Sequence, residues 1–223
     1  MGRVERSHAI ANGVVFLVIF ATFLAVSSLA AFAVQYLGYS SQYANFVLDA
    51  GLGLSMTAST LTYLFAYKKM STKEVIGSLG LGRSGLSASG LGIALLIFSI
   101  VMLMSLGASA LGGAFGVNIN TNVSLVFSGA PLWFYVFAAV IEPINEELLF
   151  RGLMVPRLGI VVSALIFGIL HAGYNSTFAI EVIAAMAFGL IAGYVFRRTG
   201  SLYPSMMAHI LVNSIAVVAL LAV

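Results

Sequence analysis

Three small groups of polar residues interrupt the apolar second half of this chain. Their types and spacing suit the hydrolysis of an acyl bond. Glu146 and Glu147 are adjacent, Arg151 follows Glu147 by four residues, His171 stands alone, and His209 precedes Asn213 by four. A buried carboxylate beside an imidazole is suited to draw a proton from water, and Glu146 and His171 are the pair expected to do so. His209 and Asn213, at i,i+4, point from one face of a helix and can donate hydrogen bonds to an oxyanion. Glu147 and Arg151 have the same spacing with the acid first, the favourable order for an intrahelical ion pair. Arg151 would hold Glu147 in place and leave Glu146 free to exchange its proton. Glu142 shares a face with Glu146 and is expected to shape the hydration of the site. Phe167, one turn before His171, would wall the pocket. Pro143 lacks a backbone donor and is expected to kink the helix one turn before the glutamates. The chain has no cysteine, which rules out disulfides, zinc-thiolate sites and thiol catalysis.

These residues need elements that can hold them away from bulk water. The chain has 223 residues, of which 61% are hydrophobic and only 8% charged, against about 25% charged in a soluble domain. Its mean hydropathy is +1.09. So few charges cannot coat a globular surface, and disorder requires the opposite composition. The expected fold is an all-α polytopic transmembrane bundle in the cell membrane, organised as a single membrane domain over residues 1–223. A bilayer core about 30 Å thick needs roughly 20 apolar residues of helix. Seven stretches meet or approach this: 9–34, 44–67, 91–111, 131–155, 159–172, 177–196 and 202–223. The fifth is short, as a tilted, re-entrant or shielded segment would be. The first is too long for a signal-peptide core and is expected to stay uncleaved. Residues 1–111 supply the N-terminal spans, and 131–223 the core that carries the polar groups.

Loop charges give an orientation. Arg3 and Arg6 precede the first span, and Lys68, Lys69, Lys73 and Arg83 lie between the second and third. Arg157 lies between the fourth and fifth, and Arg197 and Arg198 between the sixth and seventh. The alternate connections carry no Lys or Arg. With seven spans the N-terminus is therefore cytoplasmic and the C-terminus outside. Segment 68–90 reads as a short interfacial helix and a turn lying on anionic headgroups. Counted from the cytoplasmic ends at ~1.5 Å per residue, Glu146 lies ~15 Å deep, His171 ~20 Å, His209 ~12 Å and Asn213 ~18 Å. Groups on three helices thus share one layer, and intramembrane ionisable residues are functional by default. Asp49 and Glu181, near span ends, are expected to be interfacial. Trp133 and the tyrosines at 36, 39, 43, 135, 174 and 203 read as an aromatic belt. The sequons at Asn122 and Asn175 are given no role. A net charge of +3 follows from loop cations and does not indicate nucleic acid binding.

The sequence Glu146-Glu147-Leu-Leu-Phe-Arg151-Gly152, followed by Phe167-Gly-Ile-Leu-His171 and His209-Ile-Leu-Val-Asn213, resembles the motifs EExxxR, FxxxH and HxxxN of the CPBP intramembrane protease family. Members of that family include the type II CAAX prenyl endopeptidases and the Abi bacteriocin-processing or immunity proteins. The three motifs are complete and in order, and the resemblance covers about residues 131 to 223, with the first three spans alike only in general character. It implies a metal-independent glutamate-type endopeptidase. In that scheme Glu146 and His171 activate water, His209 and Asn213 form the oxyanion hole, and Glu147 with Arg151 supports the site. The implied partner is a membrane-associated peptide or protein, besides the membrane lipids themselves, and no cofactor is implied. A CAAX-type substrate is a prenylated C-terminus, and the resemblance alone does not fix this substrate here.

Other readings of the same residues are open at this level. Glu146, His171 and His209 are a conceivable zinc set with water in the fourth position, although HExxH is absent. The scaffold suits a non-catalytic membrane partner such as an immunity protein. A transporter also groups carboxylates and histidines, but no inverted repeat is visible.

Overall fold

The computed structural model describes residues 3–38, 41–82, 86–114, 127, 129–171 and 178–222. Arg83, Tyr39, Tyr174 and both sequons lie outside the described residues, as does the side chain of Glu181. The described regular structure is helical, without strands, and each of the seven apolar stretches read from the sequence falls mainly on helix in its described residues. The chain divides into two compact units, Met1–Ser78 and Leu79–Val223.

In the first unit, α1 (Arg3–Leu37) packs on α2 (Ser41–Leu61), which continues into a π turn at Thr62–Tyr67. The buried hydroxyls of Ser55, Ser59 and Thr60 donate to carbonyls of their own helix, so these polar groups are not left unpaired in an apolar setting. The short helix expected between the second and third spans is α3 (Thr72–Ser78). It begins with a capping box: the Ser71 amide and hydroxyl both donate to the Glu74 carboxylate at 2.7 Å, and the Glu74 amide donates back to the hydroxyl. These bonds, from the Ser71 hydroxyl first, hold the Glu74 carboxyl below its ordinary range.

The second unit contains α4 (Ala88–Ala114), the helical run α5 over residues 132–158, α6 (Ile160–Leu170), α7 (Phe178–Thr199) and α8 (Tyr203–Leu221). Four described segments are long and apolar enough to cross a membrane: Asn12–Leu37, Ala88–Ala114, Val182–Thr199 and Tyr203–Leu221. Large apolar side chains such as Leu17, Phe20, Leu103 and Val218 face outward, as lipid contact requires and a water-facing surface does not. The protein is an integral membrane protein.

α5 is not a uniform α-helix. A π turn at Phe137–Ile141 precedes the α-helical Glu142–Glu147, and a second at Leu148–Met154 follows it. The expected disturbance at Pro143 takes the form of the first π turn, because the ring needs room and the chain loses a donor there. Gly159, at φ 86°, turns the chain from α5 into α6. The buried Ser163 hydroxyl then ties α6 back by donating to the Phe150 carbonyl at 2.9 Å.

α6 and α7 meet through glycines, as the Gly189/Gly193 spacing suggests. A Cβ at Gly189 would lie 3.0 Å from both Cα and Cβ of Ala164, and one at Gly168 would lie 2.7 Å from Met186 Cγ and 2.9 Å from the Val182 carbonyl. Gly189→Val is therefore expected to force the two helices apart and to cost about 1–3 kcal/mol. A thermal melt of detergent-purified protein checks this. Gly92→Val, at a position with open space around it, is the matched control and should stay within about 0.5 kcal/mol.

Candidate active site

Each polar side chain owes its place to a local feature of its helix. In α5 both glutamates fall in the α-helical segment between the two π turns, and Arg151 falls in the second turn. At the end of α6 the last turn tightens. The His171 amide donates to the Gly168 and Ile169 carbonyls rather than to Phe167. The Phe167 carbonyl is thus open to the His171 ring, whose Nδ1 lies 2.8 Å from it. A carbonyl only accepts, so Nδ1 carries the proton and Nε2 of the neutral ring presents a lone pair. In α8 the i,i+4 spacing sends His209 and Asn213 to one side, as read from the sequence.

Three helices bring these groups to one centre. Glu146 Oε1 lies 4.0 Å from His171 Nε2, and its Oε2 lies 3.5 Å from His209 Nε2. The other nitrogen of His209, Nδ1, faces Glu147 Oε1 at 3.2 Å. Glu147 Oε1 also meets Arg151 Nη1 at 3.1 Å. Glu147 therefore serves two partners: it balances the arginine and orients the imidazole, as a carboxylate commonly does for a functional histidine. The expected Glu147–Arg151 pair is present, and the Glu147–His209 link is an addition to it.

A cavity of about 390 Å³ separates these residues into two layers. Glu142, Glu146, Phe167, His171, His209 and Asn213 line it, together with apolar residues of α4, α7 and α8. Glu147 and Arg151 lie behind, essentially without solvent contact. The His171 side chain is 32% exposed against 9% for Glu146.

Arg151 is held by more than its ion pair. Its guanidinium lies 4.3 Å from the Phe167 ring centre and 4.9 Å from that of Phe188. Among the described residues its nitrogens find no aligned hydrogen bond, so the two rings and the Glu147 charge are what offset its burial. Phe188 also packs on His209, with ring centres 4.6 Å apart. The sequence reading did not single out Phe188, because a phenylalanine in an apolar span carries no signal of its own. Its only cue was its position beside Gly189, where α7 comes close to α6. The structure also pairs Asn213 Nδ2 with the Ala138 carbonyl at 3.0 Å. Among the described residues no three His, Asp or Glu are arranged to hold a metal ion.

A helical integral membrane protein with a glutamate between two histidines in a cavity among its helices is the class that fold and site define. Residues 128–215 match the model of the Rce1-like family, described as type II CAAX prenyl endopeptidase. The motif-bearing segment is thus similar to that family, in agreement with the resemblance read from the three motifs. The match runs from before α5 into α8 and includes all eight residues singled out above. The protein called uncharacterized protein YpbD, of Bacillus subtilis (strain 168), is 28% identical over 90 residues. That alignment covers 40% of this chain and 47% of YpbD, so the chain spans about half the length of this relative. No solved structure matches the chain.

Proposed function

We propose that the protein is an intramembrane endopeptidase that hydrolyses a peptide bond of a membrane-associated peptide or protein with an activated water. The observation that carries this reading is the placement of Glu146 between the Nε2 atoms of His171 and His209. A water within hydrogen-bond distance of both Glu146 Oε1 and His171 Nε2 fits a 4.0 Å separation. It would donate one hydrogen to the carboxylate and the other to the imidazole lone pair, with an oxygen lone pair free for attack. As the water oxygen bonds to the scissile carbonyl carbon, its proton passes to Glu146. The carbonyl oxygen becomes an oxyanion, which His209 Nε2–H and an amide hydrogen of Asn213 stabilise. For that, the His209 ring carries protons on both nitrogens, with Nδ1–H directed at Glu147. The C–N bond then breaks, the amine leaves with the proton held by Glu146, and the carboxylic acid product gives its remaining proton to water on release.

The cavity's apolar walls suit a hydrophobic segment next to the scissile bond. The family match supports a CAAX-type or related processing step. The loop cations support an orientation with the N-terminus and the 68–90 connection in the cytoplasm and the C-terminus outside. The reaction as written needs no metal.

Peptide profiling of membranes from cells with wild-type protein, His171→Ala protein or none tests the reading. A peptide produced only with the wild type is expected, and its release in purified protein should persist after chelator treatment. A wild-type phenotype from both His171→Ala and Glu146→Ala would sink the peptidase reading and leave a non-catalytic membrane partner. Loss on chelation restored by zinc would overturn the metal-free route.

A further inference from the structure

We propose that Asn213 is a positioning residue as well as a polar group of the cavity: its side chain stands in for the backbone donor that Pro143 lacks, and so ties α8 to the turn just before Glu142 and Glu146. In the first π turn of α5 the Glu142 amide donates to the Phe137 carbonyl, five residues back. The next donor in that register belongs to residue 143, and its acceptor is the Ala138 carbonyl. Residue 143 is proline and has no N–H. Ala138 is buried, and a buried carbonyl left without a donor costs free energy. Asn213 Nδ2 donates to that carbonyl at 3.0 Å.

The bond crosses 75 residues of sequence and has consequences on both sides. On α5 it anchors the wide turn immediately before the glutamates. On α8 it fixes the helix one turn beyond His209, whose Nε2 lies 3.5 Å from Glu146. An asparagine amide has two N–H groups. One is used by Ala138, and this aims the other. Aspartate at 213 would set an acceptor against an acceptor, and alanine would leave the carbonyl unpaired.

The test is a double-mutant cycle on the full-length, detergent-purified protein, read as thermal midpoint without any substrate. Asn213→Ala is expected to lower the midpoint by about 3 °C or more, the shift of one buried hydrogen bond in a chain of this size. Asn213→Asp should lower it further. Pro143→Ala restores an N–H at position 143, so in that background the loss from Asn213→Ala should fall to less than half. Failure of Asn213→Ala to fold, with recovery in the double variant, has the same meaning. An unchanged midpoint for Asn213→Ala, an equal loss in both backgrounds, or a double variant that fails where Pro143→Ala folds, overturns the proposal. If Pro143→Ala itself does not fold, Asn213→Asp decides, and a loss no greater than that of alanine overturns it. The inference concerns the same site as the proposed peptidase but rests on the hydrogen bond, so failure of that reaction leaves this cycle intact. With a cleaved substrate in hand, the double variant should recover stability without recovering rate, because the oxyanion donor is still missing.

Discussion

Glu146→Gln is expected to lower the rate of peptide release roughly 10²–10⁴-fold, the range lost when a general base is removed, while the protein stays folded. Glutamine keeps the shape and volume of the side chain but cannot accept the proton of the attacking water. It also places an uncharged amide between His171 Nε2 and His209 Nε2, where the carboxylate had a contact on each side. The two Nε2 positions thus lose the anion between them. The measurement is cleavage of the peptide found by membrane profiling, in proteoliposomes, with the thermal midpoint as a folding control. A rate within a few-fold of the wild type, with a normal midpoint, would remove Glu146 from the proposed reaction.

The largest expected effect on stability is that of Arg151→Leu. Arg151 and Glu147 are both essentially inaccessible to solvent, and the arginine supplies the positive charge 3.1 Å from Glu147 Oε1. Removing one partner of a buried pair costs about 3–5 kcal/mol, and here it leaves the Glu147 carboxylate with the His209 ring but without the arginine's charge. For a chain of this length that is a fall in melting temperature on the order of 10 °C. Arg151→Lys keeps the charge but not the planar group between Phe167 and Phe188, so it should fall between wild type and leucine. The double variant Glu147→Gln/Arg151→Met is expected to recover most of the lost stability, since neither charge is then buried. It should not recover activity, because His209 Nδ1 has lost the carboxylate that orients it. Equal melting temperatures for Arg151→Leu and the wild type would show that the pair contributes nothing to folding.

Much of the site was legible in the sequence for a definite reason. In a chain with 8% charged residues, an acid or imidazole inside an apolar run stands out, because lipid offers it nothing to pair with. Helical spacing then gives faces. Glu142 with Glu146, and His209 with Asn213, line the same cavity as read, and Glu147 pairs with Arg151 as read. The helices were legible because hydropathy over about 20 residues records the thickness of the bilayer. The π turns of α5 were not, apart from the hint of Pro143, because an extra residue in a turn has no composition of its own. Nor was the His171 tautomer, which depends on how the last turn of α6 closes rather than on any residue type.

An all-helical membrane protein, its candidate residues for chemistry and the helix faces that bear them follow from the order of residues alone. These are local properties, set by side-chain type and by the 3.6-residue period. The packing of the helices sets which nitrogen faces which oxygen. It gave Glu147 a second partner in His209, 62 residues away, and set Phe188 against both Arg151 and His209. It also turned the absent donor of Pro143 into a reason for the place of Asn213. Such pairings depend on the approach of whole helices, through contacts such as Gly189 on Ala164, and no pattern along a single helix encodes that approach.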